Sequence, residues 1–364
     1  MNLKEYFESV DRGDYQRENF DDFLKKVSFD YSIPSIHIAG SNGKGTTANY
    51  LANIYRAHGL KVGLYTSPFL DNVNEMININ GQNISDEDFI DAIKENEKLF
   101  KKYGLSAFEI QTYIALDYFK KEKVDLAIIE CGMGGAFDAT NIFTPVLSII
   151  TSVSIEHSEF LGVSLSEIAL HKAGIIKKEV PVLIGNIEGD ALTVIVNKTK
   201  ETNSKLVVVD NFHHLEKDNG FSTFDFRPYY GLKVNSLAEY RVIAASLAIE
   251  ATNILSDLFP IKENELKAGL LKSKLKCRFE ILNTTPKIIL DGAHNPHGIN
   301  QLRKEMDENF GGETVHIVFA SFKDKNIALM LPEIGLIGDI TLTTFDNGRA
   351  REEGDYFLYL EDYI

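Results

Sequence analysis

The stretch SIHIAGSNGKGTT, residues 35–47, joins an apolar run to a glycine-rich loop and then to a helical pattern. Residues 35–39 are typical of a buried strand, and residues 46–58 have the apolar periodicity of an α-helix. Glycines at such a junction let backbone N–H groups turn inward around phosphate oxygens, and the start of the helix adds the positive end of its dipole. The stretch therefore predicts a P-loop after a strand, with an ordinary glycine-rich turn as the alternative.

The residue types in this loop fit the phosphate chain of a nucleotide. Lys44 supplies a mobile positive charge for the β- and γ-phosphates, and Thr46 or Thr47 supplies a hydroxyl for Mg²⁺. The usual P-loop has Ser or Thr directly after the lysine, whereas Gly45 stands there in this chain. The predicted phosphate-binding residues are Gly40, Ser41, Asn42, Gly43, Lys44, Gly45 and Thr46.

Short β-branched runs alternate with longer helical patterns along most of the chain. Continuous apolar runs at 124–130, 145–150 and 180–185 suit parallel strands that are covered on both faces. Parallel sheets bind ligands at the carboxyl ends of their strands. The strand and helix pattern restarts after residue 276. We therefore predict an α/β fold with a P-loop domain over residues 1–276 and a smaller Rossmann-like α/β domain over 277–364.

The charge and composition exclude several classes of protein. The 364 residues include 53 acidic and 38 basic side chains, which gives a formal net charge of −15. This balance argues against a dedicated nucleic-acid binder and against a binder of anionic membrane surfaces. The chain has no apolar run long enough to span a bilayer, its two cysteines cannot form a disulfide framework, and its acidic start is unlike a signal peptide. We expect a cytoplasmic protein, and we expect it to be a monomer.

A second loop with chemical character follows the predicted strand at 124–130. Glu130 ends this strand, where a carboxylate in a nucleotide-binding fold can hold Mg²⁺ directly or through water. The glycine-rich segment CGMGGAFDATN, residues 131–141, comes next and leads to Asp138 and Asn141. It is either part of the site or a long turn.

Several segments, in this order, resemble the folylpolyglutamate synthase/dihydrofolate synthase family within the Mur ligase superfamily. The resemblance implies a Mur ligase central domain and an enzyme that uses ATP and Mg²⁺ to join L-glutamate to a folate or pteroate carboxylate through an acyl phosphate. The segments are HIAGSNGKGTT (37–47), GLYTSPFL (63–70), IIECGMGGAFDATN (128–141), SIEHSEFLG (154–162), HKAGIIK (171–177), CRFEIL (277–282), DGAHNPHGI (291–299) and FASFKDKN (319–326).

The resemblance also implies roles for individual residues of the first domain. Lys44 would hold the triphosphate, and Ser67 with Glu130 matches the family's first Mg²⁺ site. His157 aligns with a histidine that serves a second Mg²⁺ site together with Glu130. Lys172 sits where the family carries a carbamylated lysine, which can help a metal or the acyl phosphate. Lys44, Glu130, His157 and Lys172 are therefore the predicted catalytic residues, and Ser67, Glu130 and His157 the predicted metal ligands.

In the second domain, Arg278, Asp291 and His294 match the groups by which the family holds ATP. The chain ends at Ile364, whereas the resemblance implies tens of further residues, so we expect a shortened second domain.

Three further departures from the family pattern bear on the function. The stretch LDNVNEMI, residues 70–77, has no arginine where the family commonly contacts folate. Glu156 replaces the usual aspartate before the histidine, which lengthens the arm of that carboxylate. Ala238 and Arg241 stand where a Gln and an Asn normally approach the nucleotide. Two alternatives therefore stay open: a Mur-type ligase with a different carboxylate acceptor, and a non-catalytic paralogue that binds nucleotide or pterin.

Overall fold

A computed structural model describes residues 1–10 and 17–360 of the chain. The chain divides into two compact units. The large unit comprises the chain up to Leu215 together with Thr223–Asn235 and Arg241–Lys274, and the small unit comprises Glu216–Ser222, Ser236–Tyr240 and the chain from Leu275 onward. Two short segments before the predicted boundary at residue 276 therefore group with the small unit.

An eight-stranded sheet, counted over the described residues, forms the centre of the large unit. Its order is β4-β3-β2-β5-β1-β6-β7-β8, and the six strands from β2 to β8 in this order are parallel, whereas β3 and β4 form an antiparallel edge. The P-loop strand β1 therefore lies in the interior of the sheet. The strands are β1 (Ser35–Ala39), β2 (Val62–Tyr65), β3 (Ile77–Ile79), β4 (Gln82–Asn83), β5 (Leu126–Glu130), β6 (Leu147–Ile150), β7 (Val182–Ile184) and β8 (Leu206–Val208).

Helices cover both faces of this sheet because the strands carry apolar side chains on each face. Ile36 and Ile38 of β1 face a core built with α3, α9 and α10, whereas Ala39 faces α7 and α8. Ala127 and Ile129 of β5 pack with α2, α4 and α5 on that second side. The helices of this unit are α1 (Leu3–Ser9), α2 (Arg17–Lys26), α3 (Lys44–Ala57), α4 (Asp86–Tyr103), α5 (Ala107–Lys121), α6 (Ser158–Leu161), α7 (Leu165–Ala173), α8 (Gly189–Glu201), α9 (Glu239–Ile254, which starts in the small unit) and α10 (Glu263–Lys272).

The helix that follows the P-loop is held by a close crossing with α10. A Cβ atom added to Gly269 of α10 would lie 2.4 Å from the Cα of Ile54 of α3, so only glycine permits this approach. His58, just after α3, bonds through Nδ1 to Oε2 of Glu265 at 2.8 Å. These contacts fix the direction in which α3 leaves the P-loop.

The predicted hairpin or meander at 210–235 is a three-stranded sheet, counted over the described residues, with β10 in the middle. Its strands are β9 (His213–Asp218), β10 (Phe221–Phe226) and β11 (Tyr229–Val234).

The chain from Leu275 onward forms two two-stranded sheets within its described part, and helices α11 and α12 pack together beside them. The first pair, β12 and β13, is antiparallel, and the second pair, β14 and β15, is parallel. The elements are β12 (Glu280–Thr284), β13 (Lys287–Leu290), α11 (Pro296–Phe310), β14 (His316–Phe319), α12 (Ile327–Gly335), β15 (Asp339–Leu342) and α13 (Glu353–Leu360). None of the helices in residues 1–10 and 17–360 combines the length and the apolar character needed to cross a membrane.

Candidate active site

The glycine-rich loop between β1 and α3 is fastened to the segment that follows β6. The Ser41 N–H donates to the carbonyl oxygen of Ser152 at 3.0 Å, and the Asn42 N–H donates to Ser152 Oγ at 2.9 Å. Thr151 Oγ1 donates to the carbonyl oxygen of Asn42 at 2.6 Å. Gly43 adopts a left-handed conformation, φ 84°, directly before α3 begins at Lys44. These hydrogen bonds fix the loop against the segment after β6.

Lys44 and Gly45 occupy the first turn of α3. The Lys44 Nζ donates to the carbonyl oxygen of Gly40 at 2.8 Å, so the side chain lies back along the loop. Gly45 faces the carboxylate of Glu130, and a Cβ atom added there would lie 3.1 Å from Glu130 Oε2. The missing side chain thus leaves space between the start of α3 and that carboxylate.

Glu130 and Ser67 meet at the same edge of the sheet because β2 and β5 are adjacent parallel strands. The Ser67 N–H donates to Glu130 Oε2 at 3.2 Å, and the Glu130 side chain is buried. The hydroxyl of Thr47 is also buried, and no group in the described part of the chain bonds to it. Within residues 1–10 and 17–360, no group of three or more His, Cys, Asp or Glu side chains could hold a metal ion by itself.

The second glycine-rich loop is organised by Asp138. Its carboxylate accepts hydrogen bonds from the N–H groups of Met133 and Thr140 at 2.8 and 2.9 Å. Burial raises the pKa of Asp138, although these hydrogen bonds act in the opposite direction. Asn141 Nδ2 donates to the carbonyl oxygens of Ala136 and Gly174, which ties the loop to the end of α7. The loop is an ordered structure held by its own polar side chains.

A buried polar group lies beneath these two loops. His37 Nε2 is 2.8 Å from Thr140 Oγ1 and 3.1 Å from Cys131 Sγ. Burial lowers the pKa of His37 to about 3 and raises the pKa of the Cys131 thiol well above its usual value. Both side chains are therefore uncharged near neutral pH, which fits a structural role for Cys131.

Lys172 forms a buried ion pair that the sequence did not reveal. Its Nζ lies 2.7 Å from Glu156 Oε1, and the two side chains are 0% and 8% exposed. Burial lowers the pKa of Lys172, and the Glu156 carboxylate only partly opposes this shift. Burial would raise the pKa of Glu156, but the charges of Lys172 and Lys44 hold it below its usual value. The longer arm of Glu156 thus ends on the predicted catalytic lysine.

His157 is the next residue and occupies a different environment. It is exposed, has a left-handed backbone with φ 46°, and stands at the start of α6 without capping that helix through its side chain.

The predicted ATP-binding residues of the second domain lie in the small unit. Asp291 is held by three donors, because it accepts from Tyr240 Oη at 2.6 Å and from the N–H groups of Phe279 and Ala293 at 2.8 and 2.7 Å. His294 is exposed, and its Nδ1 lies 2.9 Å from the carbonyl oxygen of Gly292.

Arg278 is presented by an unusual turn next to Asp291. It stands between Cys277 and Phe279, which both have positive φ values, 53° and 50°. Such conformations are costly for residues other than glycine and persist where the surrounding structure imposes them. Here the Phe279 ring is buried and its N–H is bonded to Asp291, so the turn is imposed by packing and by that carboxylate.

The two positions expected to depart from the family pattern, on α9 and just before it, are buried against other residues. Ala238 is buried in a small core with Phe279 and Phe310. Arg241 is 2% exposed, and its guanidinium donates from Nε to Tyr50 Oη at 3.1 Å and from Nη2 to the carbonyl oxygen of Ser273 at 3.4 Å.

The arginine-free stretch at 70–77 is held together by a carboxylate. Asn72 caps a short 3₁₀ helix at Val73–Met76, and Glu75 completes a capping box with it. The Glu75 carboxylate accepts from the N–H groups of Leu70 and Asn72 at 3.0 and 3.3 Å. The stretch is therefore a self-contained turn.

Comparison with known proteins identifies the class to which this fold and site belong. Residues 38–227 match the model of the Mur ligase middle domain. The chain is 35% identical over 311 residues to the folylpolyglutamate synthase of Lacticaseibacillus casei, covering 81% of this chain and 72% of that protein. It is 32% identical over 342 residues to the dihydrofolate synthase/folylpolyglutamate synthase of Bacillus subtilis, covering 89% and 80% of the two chains.

Solved structures give the same result. An FPGS–AMPPCP–folate complex superimposes with a TM-score of 0.88 at 29% identity, over 100% of this chain and 94% of the other. The Escherichia coli FolC structure in complex with DHPP and ADP superimposes with a TM-score of 0.87 at 27% identity, over 98% and 86% of the two chains. The chain belongs to the folylpolyglutamate synthase/dihydrofolate synthase family of the Mur ligase superfamily, and it is a ligase. The predictions of family, enzyme class and α/β fold are confirmed.

Proposed function

We propose that the chain forms an amide between the amino group of L-glutamate and a carboxylate of a folate or pteroate substrate, with ATP as the activating substrate. The observation that carries this proposal is the junction after β1, where the P-loop lysine, Gly45 and the Glu130 carboxylate lie together in a chain of this family. The relatives support the substrate classes, since one solved structure contains AMPPCP and folate and another contains DHPP and ADP.

The proposed reaction has two steps. A carboxylate oxygen of the acceptor attacks the γ-phosphorus of ATP, the bond from that phosphorus to the bridging oxygen breaks, and ADP leaves. The amino group of L-glutamate then attacks the carbonyl carbon of the acyl phosphate and loses a proton, and inorganic phosphate leaves as the amide forms. Catalysis of such transfers consists mainly of positioning the partners and stabilising charge.

Residues of the large unit have three proposed roles in these steps. Lys44 and the backbone of residues 40–46 hold the triphosphate. The N–H groups of Ser41 and Asn42 fasten the loop to Ser152, so the N–H groups at the start of α3 are the ones proposed to meet the phosphates. Glu130 and His157 act at the metal side of the phosphates. Lys172 stands beside the acyl phosphate, and its carbamylation stays a prediction from the family resemblance.

In the small unit we propose that Arg278, Asp291 and His294 bind the nucleotide. The turn that carries Arg278 and the three donors on Asp291 hold these side chains in a defined arrangement within their own unit.

Mg²⁺ is part of the proposal, and the oxygen donors near Glu130 fit this ion. Mg²⁺ prefers oxygen ligands and is usually held by one or two carboxylates together with substrate phosphates. The space that Gly45 leaves beside Glu130 and the unpartnered buried hydroxyl of Thr47 are features expected of such a site. Ser67 and Glu130 would hold a first Mg²⁺, and His157 with Glu130 would hold a second; when bound, these ions neutralise charge on the phosphate oxygens.

Replacing Glu130 by glutamine is expected to raise the Mg²⁺ concentration needed for half-maximal ADP release by about tenfold or more, because a neutral amide oxygen binds a divalent cation more weakly than a carboxylate. The measurement is a Mg²⁺ titration of ADP release at saturating ATP. Glu188→Gln is the matched control, since Glu188 is exposed at the start of α8. An unaltered Mg²⁺ dependence in Glu130→Gln would remove Glu130 from the metal site.

The substrate assignment is tested with a panel of acceptors in the presence of ATP, Mg²⁺ and labelled L-glutamate. We expect glutamate-dependent ADP release with dihydropteroate, with reduced folates or with both. A different acceptor is the second candidate function, because Glu75 and not an arginine organises residues 70–77. Release of ADP only with an unrelated carboxylate would favour that candidate. Binding of nucleotide without ADP release for any acceptor would indicate a non-catalytic paralogue.

The monomeric state and the cytoplasmic location stay predictions. Sedimentation of the purified protein and fractionation of cells that produce it would test them.

A further inference from the structure

A polar groove runs along the face of β2 that is covered by α3. It has a volume of about 300 Å³, and one wall carries Asn49, Asn53 and Arg56 of α3. Its floor is formed by Val62 and Leu64 of β2 and by Thr66, the residue that follows this strand. Lys272 and Lys274, at the end of α10 and just after it, also line this groove, which we call the β2 groove.

The β2 groove is positively charged in a protein that is strongly acidic overall. Lys272 and Lys274 are exposed and form no hydrogen bond or ion pair with any residue of the described part of the chain. The Arg56 guanidinium donates to the carbonyl oxygen of Asn80 and forms no ion pair with a carboxylate of the described residues. Glu75 also lines the groove, but its oxygens already accept backbone N–H groups. Three cations thus converge where a formal net charge of −15 would otherwise repel an anion.

The groove begins beside the proposed reaction site. Thr66 lies at one end of it, and the next residue, Ser67, donates its N–H to Glu130. From Thr66 the groove follows β2 back to Val62, which is a distance of about 13 Å for an extended strand. The groove therefore has an apolar floor and a charged rim, and it starts next to the Glu130 carboxylate.

We propose that the β2 groove binds glutamate units through their carboxylates, either in the γ-linked glutamate tail of an acceptor or in free L-glutamate. Each unit combines a carboxylate with methylene groups. The carboxylates would pair with Arg56, Lys272 and Lys274, and the methylenes would contact Leu64 and Ala52, which are partly exposed in the groove. This inference rests on the proposed function, because the nearness of the groove to Glu130 matters only if that site activates the acceptor.

The test removes the charges of the groove and measures binding and turnover separately. The double variant Lys272→Gln/Lys274→Gln is the first choice, since neither side chain bonds to the described part of the fold, and adding Arg56→Gln gives the triple variant. The control removes three exposed lysines of α2 and α4 by Lys26→Gln, Lys98→Gln and Lys102→Gln. Calorimetry gives the affinity for a γ-linked triglutamate peptide and for L-glutamate. Kinetics give the KM for acceptors with one and with three glutamates, and the KM for L-glutamate.

We expect the triple variant to weaken the affinity for the triglutamate peptide and to raise the KM of the triglutamyl acceptor by about tenfold, with a smaller change at high salt. A rise in KM and a loss of affinity that are confined to L-glutamate would place the incoming amino acid in the groove. A change no larger than that of the control lysine variant for every ligand would overturn the proposal. The calorimetry needs no turnover, so a protein that binds triglutamate through these residues but releases no ADP would contradict the proposed function and leave the groove assignment standing.

Discussion

Replacing Lys44 by alanine is expected to lower the rate of ADP release by about a thousandfold or more while the fold stays intact. Lys44 is the residue proposed to meet the β- and γ-phosphates, and charge stabilisation of a transferring phosphoryl group accounts for effects of this size. Its Nζ makes one hydrogen bond among the described residues, to the carbonyl oxygen of Gly40, so the variant loses a single partly buried hydrogen bond. The measurement is glutamate-dependent ADP release at saturating substrates, with denaturant unfolding to monitor stability.

Lys98→Ala serves as the control for this experiment, because Lys98 is an exposed lysine on α4. Turnover of the Lys44→Ala variant at more than about a tenth of the rate of the unsubstituted protein would contradict the role of Lys44 in phosphate binding.

Replacing Lys172 by methionine is expected to lower the free energy of unfolding by about 3–5 kcal/mol and to abolish turnover. The change leaves the Glu156 carboxylate buried without its partner, and breaking one side of a buried pair has a cost of this size. The measurement is urea unfolding followed by circular dichroism.

A double variant separates the two effects of the Lys172 substitution. Lys172→Met combined with Glu156→Gln removes both charges, so most of the stability is expected to return while turnover stays lost. A double variant that regains activity together with stability would show that the pair acts only in folding.

The pH dependence of the free energy of unfolding gives a second check on the ion pair. The folded-state pKa of Glu156 lies below its usual value of 4.5, so its stabilising effect is present above pH 4.5 and is lost as the pH falls through the lower folded-state pKa.

The central strands and the P-loop could be predicted because local signals and tertiary packing agree there. Residues 35–39 form β1 as predicted, and α3 starts at Lys44, two residues before the predicted start. Glycines and buried β-branched runs carry this information within a few residues of each other. Glu130 likewise ends β5, since the apolar run stops at the edge of the sheet.

Other elements could not be predicted because the local signal is misleading. Residues 193–196, TVIV, are a β-branched run that favours a strand, yet they lie within α8. The helix forms because Ala191, Ile195 and Thr199 recur every four residues and are all buried, with Ala191 and Ile195 packed in a core against the sheet. Burial of that face outweighs the weak intrinsic preference of the run.

The site shows the same limit in its long-range contacts. A carboxylate before His157 and a lysine at 172 are visible in the sequence, but the 2.7 Å contact between Glu156 and Lys172 depends on how the segment after β6 meets α7. The hydroxyls of Thr151 and Ser152 hold the P-loop across more than a hundred residues of chain. A polar cluster directly after a buried strand was the only available signal for them.

Arg241 joins three parts of the large unit through one buried side chain. Its guanidinium supplies hydrogen bonds to Tyr50 of α3 and to the backbone at Ser273, after α10. A shorter amide at this position would leave the Tyr50 hydroxyl and that carbonyl oxygen unsatisfied in a buried space. A single substitution at position 241 is therefore expected to disturb α3, α9 and the end of α10 together, so this side chain acts as a shared joint of the three helices.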